Sequence, residues 1–383
     1  MAEAAPFTLR WGILATGHVA ERFVRDLLTS PLSRGVYGIR HQLAAVASSR
    51  SLHTAINFCA TAQAPVGVKT YGSYAELIGD SDIDIVYIAT PVSHHFQNAM
   101  MAIDAGKAVL CEKALTVTAS QARTLVTAAR KKRVFLLEAL WTRFFPLCAK
   151  VRDLVASGVI GTAYRVIADT SINLEISGSP GDLHEDHRLL KRDIGGGAML
   201  DLGIYSLTWI MQILYHLQRE EDKERPVVVS AVNAYPTGVD EMASFILNFR
   251  RQKAMGIGMT SLRIASGVDY DFTAGPTVRI QGSSGEIQVF GPAFKPKRYC
   301  VIRKDGNGEI ETEECPIPKD KHRDDWGHGL FWEADECARC IKDGKLESEI
   351  MPLDESVLIV EIIESILNSG GIRYPDAITS HRM

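Results

Sequence analysis

Two short stretches carry side chains that could do proton chemistry. Residues 109–120 read VLCEKALTVTAS, an apolar strand-like run that ends on Glu112-Lys113 just before a helix start. A charged side chain at the end of a buried strand is costly unless it is paired or used. Residues 195–205 read GGGAMLDLGIY, three glycines followed by Asp201 and Tyr205 at i and i+4, hence on one face of a helix. The rest of that stretch is mostly apolar, so the pair needs partners or a function. A free phenol titrates near ~10 and is a poor base at neutral pH; an ammonium nearby favours the phenolate. On residue types alone, Tyr205 could equally be tied to a carbonyl, with Asp201 facing the helix dipole.

The elements that would position these groups begin at the N-terminus. LRWGILATGHVAERFVRDLLTS reads as strand, tight turn and amphipathic helix, with Val19, Phe23, Leu27 and Leu28 at helical spacing. The turn Ala15-Thr16-Gly17-His18-Val19-Ala20 fits G-x-G-x-x-G/A, except that Ala15 stands in the first glycine position. Gly17 would admit a pyrophosphate to the backbone, Ala20 would allow close helix packing, and the helix N-terminus would face the phosphates. A second strand, HQLAAVASSR, ends at Ser48-Ser49-Arg50. Two hydroxyls and a guanidinium stand where a carboxylate would read the ribose of NAD; they suit a 2′-phosphate, so NADP is the expected cofactor.

Strand-like runs at 83–89, 108–111 and 134–138 then alternate with helical patterns, the mark of βαβ units and a parallel sheet. Ligands bind beyond the carboxyl ends of such strands. Thr90-Pro91, Glu112-Lys113 and residues 138–141 stand there. After WTRFFP (141–146) the alternation stops. Later segments carry strand propensity and hairpin signals, with helical patterns at 200–217, 329–343 and 354–368. The fold class expected is α/β plus α+β: residues 1–140 form a dinucleotide-binding domain on a parallel sheet. Residues 141–383 form a substrate-binding and oligomerisation domain, a mostly antiparallel open sheet with helices on one face.

Composition narrows the partners. The chain has 383 residues, 46% hydrophobic and 23% charged, with net charge −4. That balance suggests neither nucleic acid nor an anionic membrane as partner. No apolar run reaches the ~18 residues of a membrane span, and the N-terminus lacks the pattern of a secretory signal. Seven scattered cysteines suggest reduced thiols and a cytoplasmic protein. Cys337 and Cys340 fall at helical spacing with no second pair to complete a zinc site. HEDH (184–187) lacks H-E-x-x-H spacing and reads as a solvated polar loop, so no metal is expected.

Together WGILATGHVAE, ATPVSHHFQNAM, CEK and GGGAMLDLGIY resemble the Gfo/Idh/MocA family of NAD(P)-dependent oxidoreductases over nearly the whole chain. EALWTRFFP resembles the subgroup of trans-dihydrodiol dehydrogenases and fungal NADP-dependent D-xylose 1-dehydrogenases. The resemblance implies a Rossmann domain and a hydride transfer between a carbinol and NADP. It implies Lys113 beside the nicotinamide, Tyr205 as the acid/base group and Asp201 one helical turn earlier. It further implies His95 near the nicotinamide ribose, with Trp141 and Arg143 lining the cofactor and substrate cleft. Ala114 follows Glu-Lys where most members have proline.

The cofactor set expected is therefore Ala15, Thr16, Gly17, His18, Val19, Ser49, Arg50, Thr90, Pro91, His95, Glu112, Lys113, Trp141 and Arg143. Tyr205 is expected to accept the proton with Lys113 as its electrostatic partner; Lys113 as base is the converse. Substrate hydroxyls would meet Tyr205, Asn173, His187, Arg188 and Asp182, the last four from or beside the loop 173–193. The substrate is a small carbinol or carbonyl, D-xylose first. A dihydrodiol, a dicarbonyl, a secondary metabolite, or a non-catalytic NADP sensor are the other readings. A homodimer or homotetramer through the second domain's sheet is expected.

Overall fold

The computed structural model describes residues 5–174, 187–264, 275–304 and 309–381. It divides into two units, residues 1–144 with 317–357 and 380–383, and residues 145–316 with 358–379.

The first unit is a parallel sheet of six strands, order β3-β2-β1-β4-β5-β6. Its strands are β1 (Phe7–Leu14), β2 (Ile39–Ala47), β3 (Lys69–Tyr71), β4 (Ile85–Ile88), β5 (Ala108–Glu112) and β6 (Leu136–Ala139). The helices between them are α1 (His18–Leu27), α2 (Leu52–Thr61), α3 (Tyr74–Ile78), α4 (His95–Asp104) and α5 (Ala119–Lys132). All four residues of β4 and of β6 are buried, as a sheet covered on both faces requires. Ser51, Ser73 and Thr118 cap α2, α3 and α5 through their side chains. No side chain caps α1, whose N-cap is Gly17.

The expected division into 1–140 and 141–383 differs from the observed one because residues 317–357 return to the first unit. Buried polar groups on α1, on the turn after it and on β2 find their partners there. The Asp26 carboxylate accepts from Trp326 Nε1 and from the backbone amides of His328, Gly329 and Leu330 at 2.6–2.8 Å. Arg34 donates both ends of its guanidinium to Asp335 at 2.7 Å. Trp11 Nε1 donates to His41 Nδ1, which leaves His41 Nε2 to donate to Asp335 at 2.9 Å. Asp335 lies on α8 (Phe331–Lys342), so this network pins α8 to the nucleotide unit. Separations near 300 residues hide such pairs from any local pattern.

The second unit contains α6 (Pro146–Ala156), α7 (Ile204–Leu214) and a sheet of eight strands, order β14-β13-β12-β11-β7-β10-β9-β8. These strands are β7 (Ala163–Asp169), β8 (Val227–Ala234), β9 (Asp240–Phe249), β10 (Ala254–Ser261), β11 (Val278–Gly282), β12 (Gly285–Phe290), β13 (Arg298–Arg303) and β14 (Ile310–Glu314). Every pairing is antiparallel except β7 with β10. The wholly buried α7 packs on β7 and β10. Gly256 makes this possible, since a Cβ there would sit 2.1 Å from Ile210 Cγ2. On the opposite face Val229, Ile246, Ile257 and Ile167 stand in one row across β8, β9, β10 and β7. The helix expected at 200–217 starts instead as a π turn, Met199–Gly203, that runs into α7. Such turns occur often at functional sites.

Candidate active site

In the first unit the chemistry gathers at the carboxyl ends of the strands. After β1, Ala15 takes φ +86° and donates its amide to Ala47 O at 3.2 Å. Gly17 follows with extended backbone, and a Cβ there would meet nothing within 4 Å. Open space at Gly17 and an α1 start without a side-chain cap together fit a bound pyrophosphate. Beyond β2, Ser48 is buried while Ser49 and Arg50 are exposed, as a phosphate reader must be. Thr16 and Val19 are half-buried and His18 is exposed.

The next loops are braced rather than open. His95 is buried, with Nδ1 2.8 Å from Ala114 O and Nε2 2.9 Å from Thr90 O. Burial holds its pKa down at about 4 against the pull of two carbonyl acceptors. A neutral ring donates to one carbonyl, and both nitrogens are spent inside the protein. His95 thus braces the loop after β4 against Lys113-Ala114, whose peptide bond is cis. Thr90 Oγ1 accepts from Asn98, and Pro91 is exposed. Glu112 is buried; it accepts from the Tyr87 hydroxyl and, through Oε2, from the Lys113 amide at 3.2 Å. Lys113 itself is half-buried.

Past β6, Trp141 stacks on His328 with ring centroids 5.2 Å apart and planes 7° from parallel. Arg143, expected in the cleft lining, is fully buried and ion-paired with Glu355 at 3.0 Å. A guanidinium with no exposed surface supports the loop from within. Glu138 accepts from the Leu115 amide at 2.9 Å, and burial pushes its carboxyl up to about 7. Its bond holds the backbone two residues after Lys113.

In the second unit Asp201 and Arg188 form an ion pair at 3.0 Å. Asp201 is partly exposed and Tyr205 is 6% exposed, its ring 5.6 Å from Phe294. His187 is exposed and accepts from the Leu189 amide through Nδ1 at 3.3 Å; burial of part of the ring lowers its pKa. Asn173 pairs with Arg263 in an isolated bridge. Asp182 and His184 lie outside the described residues. Asp240, which pattern alone does not single out, is buried and accepts from the Met199 amide at 2.6 Å.

Residues 9–139 match the model of the oxidoreductase family with NAD-binding Rossmann fold, Gfo/Idh/MocA, and residues 148–288 match that family's C-terminal domain. This chain belongs to the Gfo/Idh/MocA oxidoreductase family. It is 53% identical to a D-xylose 1-dehydrogenase (NADP(+)) of Hypocrea jecorina, across 99% of this chain and 96% of that protein. It is 32% identical to the human trans-1,2-dihydrobenzene-1,2-diol dehydrogenase, across 96% of this chain and 98% of that one. The crystal structure of an NAD binding oxidoreductase from Klebsiella pneumoniae shares the fold, with a TM-score of 0.77 at 21% identity over 95% of this chain and 97% of that one.

Within this family member, then, Ala15–Val19, Ser49, Arg50, Thr90, Pro91, Lys113 and Trp141 are gathered at the strand ends of the first unit. Asp201, Tyr205, Arg188 and His187 share the segment 187–205 of the second. Glu112, His95 and Arg143 turn out to be buried supports. Glu355 and Asp240 are not legible in the sequence, because each serves a partner distant in sequence, and Asn98 carries no pattern that links it to Thr90.

Proposed function

We propose that this chain is an NADP-dependent dehydrogenase acting on CH–OH groups, oxidising C1 of an aldose such as D-xylose to the lactone. The observation that carries this reading is the 53% identity, spread over 99% of the chain, to an NADP-dependent D-xylose 1-dehydrogenase. The uncapped start of α1 with Ala15–Val19 would hold the pyrophosphate, Ser49 and Arg50 the 2′-phosphate, and Thr90, Pro91, Lys113 and Trp141 the nicotinamide half. When bound, the nicotinamide supplies the hydride acceptor. Oxidation of the C1 hydroxyl also releases a proton, and Tyr205 takes it from the oxygen. Lys113 donates a hydrogen bond to that oxygen, and its charge favours the phenolate. Asn173, His187 and Arg188 would read the remaining hydroxyls. In balance, aldose and NADP+ give lactone, NADPH and a proton.

The test is steady-state formation of NADPH from D-xylose, with NADP and NAD compared at equal concentration. Rapid, NADP-selective turnover is expected. Lys113→Met and Tyr205→Phe should keep NADP binding and lose turnover down to a small residual rate. Tight NADP binding with no turnover on D-xylose would move the substrate to dihydrodiols or dicarbonyls.

The same proposal covers assembly and location. A homodimer or homotetramer would form through the face of the second unit's sheet opposite α7, where Val229 is 60% exposed and Met255 40%. Val229→Glu should then lower the mass measured by light scattering. The cytoplasm is the proposed compartment, in keeping with seven cysteines that form no disulfide. Among the described residues one stretch, Arg192–Leu214, is long and apolar enough to cross a membrane, and it is 94% buried in the protein.

A further inference from the structure

The start of the helix that carries Tyr205 is built around a buried carboxylate. Asp240, the first residue of β9, is 0% exposed. Its Oδ2 accepts from the Met199 amide at 2.6 Å. Its Oδ1 meets no hydrogen-bonding partner among the described residues and lies against Gly197. Gly197 takes φ +120°, and a Cβ there would sit 2.0 Å from Oδ1. Gly196 is closed off on another side, because its Cβ would fall 2.6 Å from Leu189 O. The Tyr374 hydroxyl donates to Gly196 O at 2.6 Å, and the Gly197 amide donates to Leu189 O at 2.8 Å. Backbone, carboxylate and phenol therefore leave this glycine pair one conformation.

The arrangement is dearer than a cap requires. Ser51, Ser73 and Thr118 cap α2, α3 and α5 from their own N-cap positions, near the surface. A fully buried carboxylate with one oxygen unpaired costs far more than that. What it adds is a fixed starting point for the π turn Met199–Gly203. One residue more or fewer in such a turn would rotate every later side chain by about 100°, the angle one residue subtends in an α-helix. Asp201 sits inside the turn and Tyr205 is the second residue of α7, so both directions depend on where it begins.

We propose that Asp240 is a positioning residue, which by holding the Met199 amide sets the phase of the π turn and aims Tyr205 at the substrate. The proposal rests on the reading of Tyr205 as the proton-accepting group. Asp240 touches neither substrate nor cofactor in this role; it acts through the helix start.

The experiment is a double-mutant cycle in the full-length protein, with kcat, KM for D-xylose, NADP affinity and Tm measured for each form. Asp240→Ala should lower kcat tenfold or more, with KM and NADP affinity changed less than threefold. Asp240→Asn keeps an oxygen for the Met199 amide and should stay within threefold of the wild-type kcat. In a Tyr205→Phe background, Asp240→Ala should cost no more than twofold further, although Tm still falls. A full tenfold loss in that background, or Asp240→Asn behaving like Asp240→Ala, overturns the proposal. Should Asp240→Ala fail to fold, Asp240→Glu carries the test. Its extra methylene pushes on Met199, so kcat should fall while NADP still binds; an unchanged kcat overturns the proposal. Wild-type turnover by Tyr205→Phe alone would remove the reading of Tyr205 instead, and the inference with it.

Discussion

A turn with one glycine, Ala15–Ala20, and a run of three, Gly195–Gly197, each feed a helix start, and they are built in opposite ways. At Ala15–Ala20 the glycine backbone faces open space and the helix start has no side-chain cap. In the Gly195–Gly197 turn the space beside Gly196 and Gly197 is already filled by Leu189 O, Asp240 and Tyr374. In the first turn glycine leaves open the space that the proposed pyrophosphate would fill; in the second it admits the protein's own carboxylate. Both obey the same rule, that a helix N-terminus favours negative charge. They differ in whether that charge arrives from solution or is part of the fold. Glycine content does not say which turn is open and which is filled, and substitution can.

The largest effect expected is from Gly197→Ala. A methyl group at φ +120°, 2.0 Å from Asp240 Oδ1, combines backbone strain with overpacking. These sum to roughly 3 kcal/mol or more of lost stability, read by urea unfolding. Gly17→Ala, in extended backbone with no neighbour within 4 Å, should leave stability within about 0.5 kcal/mol. Its methyl would occupy ligand space, so NADP should bind about tenfold more weakly, or about 1.4 kcal/mol. Equal loss of stability in both variants would erase the contrast.

A pH series separates the built-in charge from the borrowed one. Burial pushes Asp240 from 3.8 up to about 6. The fold therefore prefers the protonated acid, and that stability is complete below pH ~3.8 and lost as pH rises through about 6. A shift of about two units corresponds to about 3 kcal/mol. Wild type should thus lose stability relative to Asp240→Asn between pH 4 and 7, as followed by urea unfolding at each pH. A flat difference would mean that the Met199 amide and the helix start fully offset burial.

Arg50 sharpens the other side. It stands exposed after β2 with its amide bonded to Ser48 Oγ at 3.2 Å. A charge-assisted bond to phosphate is worth about 1.5–3 kcal/mol. Arg50→Ala should therefore weaken NADP by ten- to a hundredfold, with NAD unchanged, in a fluorescence titration. Equal weakening of both would place Arg50 on the pyrophosphate instead.

How far the sequence could be read follows the same division. β4 and β5 were legible because strands buried on both faces are apolar without interruption and lead into Thr90 and Glu112-Lys113; β6 was legible as an apolar run broken only by Glu138. Lys113 and the Asp201/Tyr205 pair stood out as polar residues against apolar surroundings. The return of 317–357 was not legible, because Asp26, Arg34 and His41 look like ordinary surface residues until their partners near 326–335 are known. His95 and Arg143 are chemically capable side chains whose burial only the fold reveals. The π turn left no periodic trace, since it spans five residues. Asp240 sits between PTGV and a β-strand, where an aspartate usually means a turn.

The smallest effect expected concerns Ala15, which departs from the glycine of the family turn. Its φ of +86° is strained for alanine by about 1 kcal/mol. Glycine there would relieve the strain, yet it would also free the unfolded chain by roughly 0.4–1 kcal/mol. The two nearly cancel, so Ala15→Gly should change stability by less than about 1 kcal/mol. NADP affinity should hold within twofold, because the Ala15 amide is already fixed on Ala47 O and the opening lies at Gly17. A tenfold gain in affinity would mean that the Ala15 methyl, and not Gly17, limits the phosphate's approach. The open turn would then be only partly open, and its contrast with the filled one would narrow to that single methyl group.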